Sequence, residues 1–193
     1  MTQFEFLMTF ASVVLAIALT EMFGSWGKLA RSSRPIRWSG LWVGWTVVLA
    51  GLTIMYWSGM WPYRNASFSE AYRIAWLVIP TFLLVVLCFL FSPEPEADRE
   101  EIDLADRYWR IAPRAFPVLA LFLVATQVAD ALIIGQGPLG PDPPLFVRLL
   151  VPGLFLLVVA CALSRIAWLH FVTLGCFAAV VTGFLFVSTG IFQ

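Results

Sequence analysis

The chain has one histidine, His170, and one lysine, Lys28, among its 193 residues. One imidazole cannot supply bis-histidine haem ligation or a histidine-rich metal site. The lysine falls between two apolar runs, so no amine stands at mid-membrane depth for a Schiff base. Cys88, Cys161 and Cys176 occur singly, without C-x-x-C spacing, and read as small core residues rather than a disulfide or redox pair. Ser164 lies near His170 in sequence, but there is no G-x-S-x-G turn and no orienting acid nearby to make a hydrolase triad. Charge is scarce too: 12% Asp, Glu, Lys and Arg with a net charge of zero, against about 25% charged residues in a soluble domain. No basic patch suits nucleic acid. The expectation is a protein without metal or cofactor, and not an enzyme.

What is present is apolar sequence. Hydrophobic residues make up 61% of the chain and the mean hydropathy is +0.87. Apolar segments run at about 4–23, 38–60, 72–91, 113–135, 145–164 and 167–192, each near the roughly 20 residues that cross a hydrocarbon core. A span in lipid must satisfy its own backbone, and LVIPTFLLVVLCFLF shows even hydrophobicity rather than barrel-type alternation, so each span reads as a helix. The predicted fold is all-α: a polytopic integral membrane protein, one domain over 1–193, with six transmembrane helices in a compact bundle. Pro80, Pro117 and Pro152 lie inside or near span starts and read as packing features.

Basic residues set the expected orientation. Lys28, Arg31, Arg34, Arg37, Arg99, Arg107, Arg110, Arg114 and Arg165 fall in the first, third and fifth loops or at their borders, against Arg64, Arg73 and Arg148 on the other side. The nine-to-three excess puts those loops in the cytoplasm and both termini outside. The opening MTQFEF carries no positive charge, which fits a translocated N-terminus rather than a cleaved signal peptide, although Ala16-Ile17-Ala18 has the small residues of a cleavage site. The acidic loop at 92–112 is expected to form a solvated helix with i,i+4 pairs Arg99–Asp103, Asp103–Arg107 and Asp106–Arg110. Leu104, Tyr108 and Ile111 on one face, with Trp109, would lie along the headgroups before the chain enters the membrane at Pro113.

A first span ending GSWGKLAR, an aromatic second span LWVGWTVVLAGLTIMYWSGMW and an acidic loop leading into DLADRYWRIAPRAF together resemble bacterial six-span membrane proteins of uncharacterised function. The resemblance implies a bacterial inner-membrane location and brings no activity or catalytic residue. The C-terminal GIFQ carries no anchor or retention signal.

Two groups of residues stand out. Ser12, Ala16, Thr20 and Gly24 repeat every four residues, a small-sided face that permits close helix packing, within the chain or across a dimer. Glu5 and Thr9 extend this stripe outward, so it also reads as a narrow polar groove. The second group is polar residues within apolar runs: Glu21, Thr126, Gln127, Asp130 and Arg148. Glu21 ends the first span and reads as an interfacial carboxylate within reach of water, Lys28, Arg165 or His170. Asp130 shares a helical wedge with Thr126 and Gln127, and the short connector GQGPLGPDPP would bring Arg148 to its depth as an ion-pair partner. Trp38, Trp42 and Trp45 share one helix face and read as an interfacial belt continuing into a packing ridge.

Each half has three spans and carries an acid late in its first helix, as inverted repeats would, but no broken helix occurs at matching positions. The leading expectation is a structural or partner-binding membrane subunit or sensor. The lipid bilayer is its surroundings, and a second copy or another membrane subunit is the candidate partner. The alternative is a small-solute or ion transporter or channel.

Overall fold

The computed structural model describes residues 2–68, 70–92, 101–135 and 145–188, with the side chains of 145–148 and 187–188 excepted. Six helices follow in order: α1 (Gln3–Ala30), α2 (Gly40–Gly59), α3 (Ala71–Phe91), α4 (Leu104–Ile134), α5 (Leu145–Leu163) and α6 (Ala167–Ser188). A 3-10 turn at Trp61–Asn65 follows α2. The fold is all-helical except for one short bridge, in which β1 (Ile36–Arg37) pairs in parallel with β2 (Ile102–Asp103). Five helices are long and apolar enough to cross a membrane. The exception is α5, whose described apolar stretch, Leu149–Leu163, falls short of that length.

Helix α1 starts on a capping box: the Thr2 hydroxyl accepts from the Glu5 amide at 3.1 Å, and the Glu5 carboxylate accepts from the Thr2 amide at 2.8 Å. Its packed face is Phe4, Leu7, Ala11, Leu15, Ala18, Met22, Ser25 and Leu29, a run of three- and four-residue steps. The cores of the bundle gather these with Trp42, Trp45, Leu84, Tyr108, Phe116 and Phe177. Of the expected tryptophan ridge, Trp42 and Trp45 are buried while Trp38 is exposed, and Trp26 packs at a tilt against both Trp38 and Trp42.

Neighbouring glycines bring α2 and α6 together. A Cβ on Gly51 would stand 2.5 Å from Val181 Cγ1, and one on Gly44 would stand 2.4 Å from Leu174 Cδ2. Only hydrogen fits at either position without a shift.

The bridge ties the first loop to the segment before α4: the Ile102 amide donates to the Pro35 carbonyl at 3.1 Å, and Arg37 pairs with Asp103 at 3.1 Å. The turn between α5 and α6 meets the same end through Tyr108 and His170. Three connections therefore share one end of the bundle, called here the loop end, and successive helices alternate in direction.

Two expectations about the acidic loop are corrected. No separate helix stops at Pro113: α4 runs unbroken from Leu104 through Pro113 and Pro117 to Ile134. Its first turns are held by burial, since Leu104 and Tyr108 lie fully inside the core and not along a headgroup layer. Loss of the hydrogen bonds at two prolines is outweighed by that packing. Asp103 pairs with Arg37 rather than Arg107, because it is the N-cap of α4 and accepts from the amides of Ala105 (2.8 Å) and Asp106 (2.9 Å). Arg107 instead donates to the Ser92 carbonyl at 2.7 Å. The expected Asp106–Arg110 pair is present at 3.2 Å, while Arg99 lies outside the described residues.

Candidate functional site

Two polar clusters sit inside the bundle, one toward each end. At the loop end, the Tyr108 hydroxyl lies 2.6 Å from His170 Nδ1, and His170 Nε2 lies 3.0 Å from the Ser164 carbonyl oxygen. A carbonyl only accepts, so Nε2 carries the proton and Nδ1 accepts from Tyr108. Beside them, the Thr173 hydroxyl donates to the Leu169 carbonyl at 2.8 Å and stands 3.1 Å from Cys161 Sγ. Trp109 and Phe116 pack edge-on to the imidazole at 4.9 and 5.0 Å. With both ring nitrogens engaged and aromatic walls around it, His170 is a clamp between α4 and the α5–α6 turn. The Ser164 hydroxyl is not bonded to the imidazole, so the two form no nucleophile–base pair.

Toward the opposite end, the Tyr63 hydroxyl donates to Asp130 Oδ1 across 67 residues of sequence. The 3-10 turn places Tyr63 there, and the ring is buried with Phe4, Leu7, Met60, Phe68, Leu77 and Ile133. Tyr56, seven residues earlier and within α2, donates to the Leu77 carbonyl at 2.9 Å and lies 3.1 Å from Thr81 Oγ1.

A cavity of about 230 Å³ runs down from Asp130 among α2, α4, α5 and α6. Its deepest lining residue on each helix is Leu52, Phe122, Leu154 and Phe177. From Phe122 to Asp130 is about 12 Å of helix at roughly 1.5 Å per residue. Below that floor the interior is filled: the Trp45 ring lies 5.5 Å from Phe177 and 5.2 Å from Phe116, and Phe116 leads to the His170 clamp. The cavity wall is mostly carbon, and Thr126, Gln127 and Asp130 project from α4 at its polar end. This arrangement can hold an apolar body and hydrogen-bond one polar head.

The residues singled out from the sequence divide accordingly. Thr126, Gln127 and Asp130 come together on the cavity wall. The partner found for Asp130 is Tyr63; the side chain of the expected partner, Arg148, lies outside the described residues. Glu21 is half-buried and forms no hydrogen bond or ion pair among the described residues, and His170, one of its expected neighbours, is committed to Tyr108 and Ser164.

The small-residue stripe lies beside the packed face of α1. Ser12 is half-buried and accepts from the Trp57 indole at 2.8 Å, whereas Ala16, Thr20 and Gly24 are exposed and nothing stands within 4 Å of a Cβ built on Gly24. The polar atoms of the stripe are spent on their own helix: Thr9, Ser12 and Thr20 donate to the carbonyls of Glu5, Met8 and Ala16. Glu5 is spent on the N-cap. A cavity of about 240 Å³ opens beside Ser12 and Ala16, against Thr53, Ile54 and Trp57 of α2.

Sequence reading missed Tyr63 and the Tyr108–His170 clamp. Tyr63 stands in WPYRN, an aromatic and basic segment that looks like an interface anchor, and Tyr108 stands in an amphipathic run. Among the described residues, no three His, Cys, Asp or Glu side chains converge as metal ligands. Compared with protein-family models, curated proteins and solved structures, the chain matches none.

Proposed function

We propose that this chain is an integral membrane protein that crosses the bilayer six times and serves as a binding subunit or sensor, with no catalytic step of its own. Its ligand seat would be the cavity beneath Asp130. The observation that supports this reading is the lining of the cavity: polar groups at one end, apolar walls, and Leu52, Phe122, Leu154 and Phe177 deepest, with Trp45 packed against Phe177 and Phe116. An apolar pocket with a few convergent polar groups above a packed aromatic layer fits recognition better than passive conduction. The alternating directions of the helices support six crossings, with α5 the short one. The gathering of the basic first, third and fifth connections at one end supports a cytoplasmic loop end in a bacterial inner membrane, with both termini outside.

A second reading, a small-solute carrier, draws on the acid, amide and hydroxyl of Asp130, Gln127 and Thr126 along the same cavity; that cavity would then be one end state of alternating access.

Two measurements test these readings. In sealed bacterial cells, an impermeant thiol reagent should modify Arg64→Cys and leave Ser33→Cys and Arg165→Cys unmodified until the membrane is permeabilised. Modification of Ser33→Cys in intact cells would overturn the orientation. In reconstituted vesicles, small neutral solutes should enter no faster than into empty vesicles; saturable uptake would transfer the assignment to the carrier.

A further inference from the structure

Resting on the reading of the cavity as a ligand seat, the chemistry of its lining specifies what it takes. Of the polar groups at its upper end, most are already engaged. The Tyr56 hydroxyl is turned away toward α3, where it meets Leu77 and Thr81, so Tyr56 offers the cavity its ring. Thr126 donates to the Leu123 carbonyl at 2.9 Å, and Tyr63 donates to Asp130 Oδ1. What remains, among the described residues, is the second carboxylate oxygen of Asp130 and the side-chain amide of Gln127, one turn below it on the same wedge of α4. Neither is sealed away: neither Asp130 Oδ2 nor the Gln127 amide is among the orphaned buried polar atoms, and both residues line the cavity.

A carboxylate oxygen only accepts, and its described neighbour is a neutral phenol, so the complement to the free oxygen is a hydrogen-bond donor. The amide of Gln127 accommodates either a lone pair or a second N–H on the same head. The rest of the wall is apolar: Met55, Phe122, Leu154, Phe177, Val180 and Phe184. An engineered cavity of about 150 Å³ accepts benzene. A space of about 230 Å³ takes one ring with a short tail.

We infer that the cavity between α2, α4, α5 and α6 binds a small amphiphile with a single-ring-sized apolar body and a donor head, a hydroxyl or an ammonium, held by Asp130 Oδ2 and Gln127. The head sits at the level of Asp130, near the end of α4, and the body points toward Phe177. Tyr63 is the positioning residue. Its hydroxyl fixes Oδ1 and leaves Oδ2 for the ligand.

Three probes of one shape test this with the full chain in lipid nanodiscs: 4-propylbenzylamine, 4-propylbenzyl alcohol and 1-ethyl-4-propylbenzene, with binding read by calorimetry and by the ligand-induced rise in melting temperature. Hydrogen bonds to a charged group differ from apolar contact by enough to separate affinities roughly tenfold or more. The amine, the alcohol or both should therefore bind at least about tenfold tighter than the hydrocarbon. Asp130→Asn keeps the acceptor for Tyr63 and replaces the free carboxylate oxygen. It should weaken the tighter of the two polar probes about fivefold or more and leave the hydrocarbon unchanged. Leu154→Trp fills the cavity and should exclude all three, which separates this seat from the lipid annulus; the Asp130→Asn arm leaves the core intact if that variant does not fold. Equal binding of hydrocarbon and polar probes, or indifference to Asp130→Asn, overturns the donor-head assignment while the seat itself stands. Absence of binding by all three overturns the seat and the assignment together.

Discussion

The hydroxyl of Tyr108 on α4 and Nδ1 of His170 on α6 meet at 2.6 Å, both side chains fully buried. One contact therefore fastens α4 to the start of α6, and the other ring nitrogen fastens the same imidazole to the turn carbonyl of Ser164. Tyr108→Phe would leave an imidazole nitrogen unpaired in a carbon environment, at a cost of about 1–3 kcal/mol. The melting temperature in detergent should fall. His170→Phe should cost more, because it also strips the Ser164 carbonyl of its donor. In the double variant the losses should be less than additive, since the shared bond is removed once; additive losses would show that the two side chains act independently.

The close seam in this bundle is between α2 and α6. Gly51→Ala places a methyl 2.5 Å from a γ-carbon of Val181, a β-branched side chain with little rotamer freedom. It should destabilise by about 1–3 kcal/mol, in the range of core overpacking. Gly44→Ala meets the far end of Leu174, which can turn aside, so its loss should be smaller. Gly24→Leu on the open stripe of α1 should leave the melting temperature of the monomer within the scatter expected for surface changes. A drop in assembly state with Gly24→Leu would show that a second copy covers that stripe. Equal effects of Gly51→Ala and Gly24→Leu on monomer stability would contradict the packing described.

Helix positions were legible because an apolar run of about 20 residues has few options if it is to cross a bilayer. An apolar run that long must be helical, and the ends of α2, α3 and α5 fall close to where hydropathy changes. Helix α4 was misjudged at its start. Pro113 looks like a boundary by local rules, but Leu104 and Tyr108 are core residues, and burial decides. The stripe of small residues on α1 reads as a close-packing face, within the chain or across a dimer. Within the chain its Ser12 end meets Trp57 of α2 and Thr20 and Gly24 are exposed, while α1 packs chiefly through Leu7, Leu15 and Met22 and the tightest glycines are on α2. Asp130 was legible as an acid within an apolar run. Its bond to Tyr63 was not, since nothing in the spacing says that a 3-10 turn after α2 delivers a phenol to the last turns of α4.

Asp103 gives the loop end a pH dependence. Backbone amides of Asp106 and Ala105, together with the Arg37 guanidinium, hold its carboxyl below the usual carboxylate range. A carboxyl with a lowered folded-state value adds stability that is complete above its unfolded value, about 3.9, and is lost as pH falls through the lower folded one. The site is on the surface and the effect is small. Asp103→Asn preserves an N-cap side chain but removes the negative charge that pairs with Arg37. The wild-type chain should melt slightly above this variant at neutral pH, with the gap closing as pH is taken through and below the ordinary carboxylate range. A gap that widens on acidification would contradict the assignment.

Asp130 is coupled to Tyr63, and the coupling can be separated from any contribution of Arg148. Tyr63→Phe removes the donor and leaves a half-buried carboxylate with one fewer hydrogen bond, which should destabilise by about 1–3 kcal/mol, the range for an unpaired polar group. Asp130→Asn keeps an acceptor in place and should cost less than Tyr63→Phe. With Asp130→Leu as the first change, adding Tyr63→Phe should cost little more, because the phenol has already lost its acceptor. Arg148→Leu should be additive with Tyr63→Phe, since the second oxygen of Asp130 is left for the ligand; a loss beyond the sum would make Arg148 the second partner of Asp130 and take that oxygen from the ligand. Melting temperatures of these variants in one detergent decide the matter. If Tyr63→Phe is neutral and Asp130→Leu is not, the hydroxyl contact carries no stability, and the phenol serves the bundle through its ring alone.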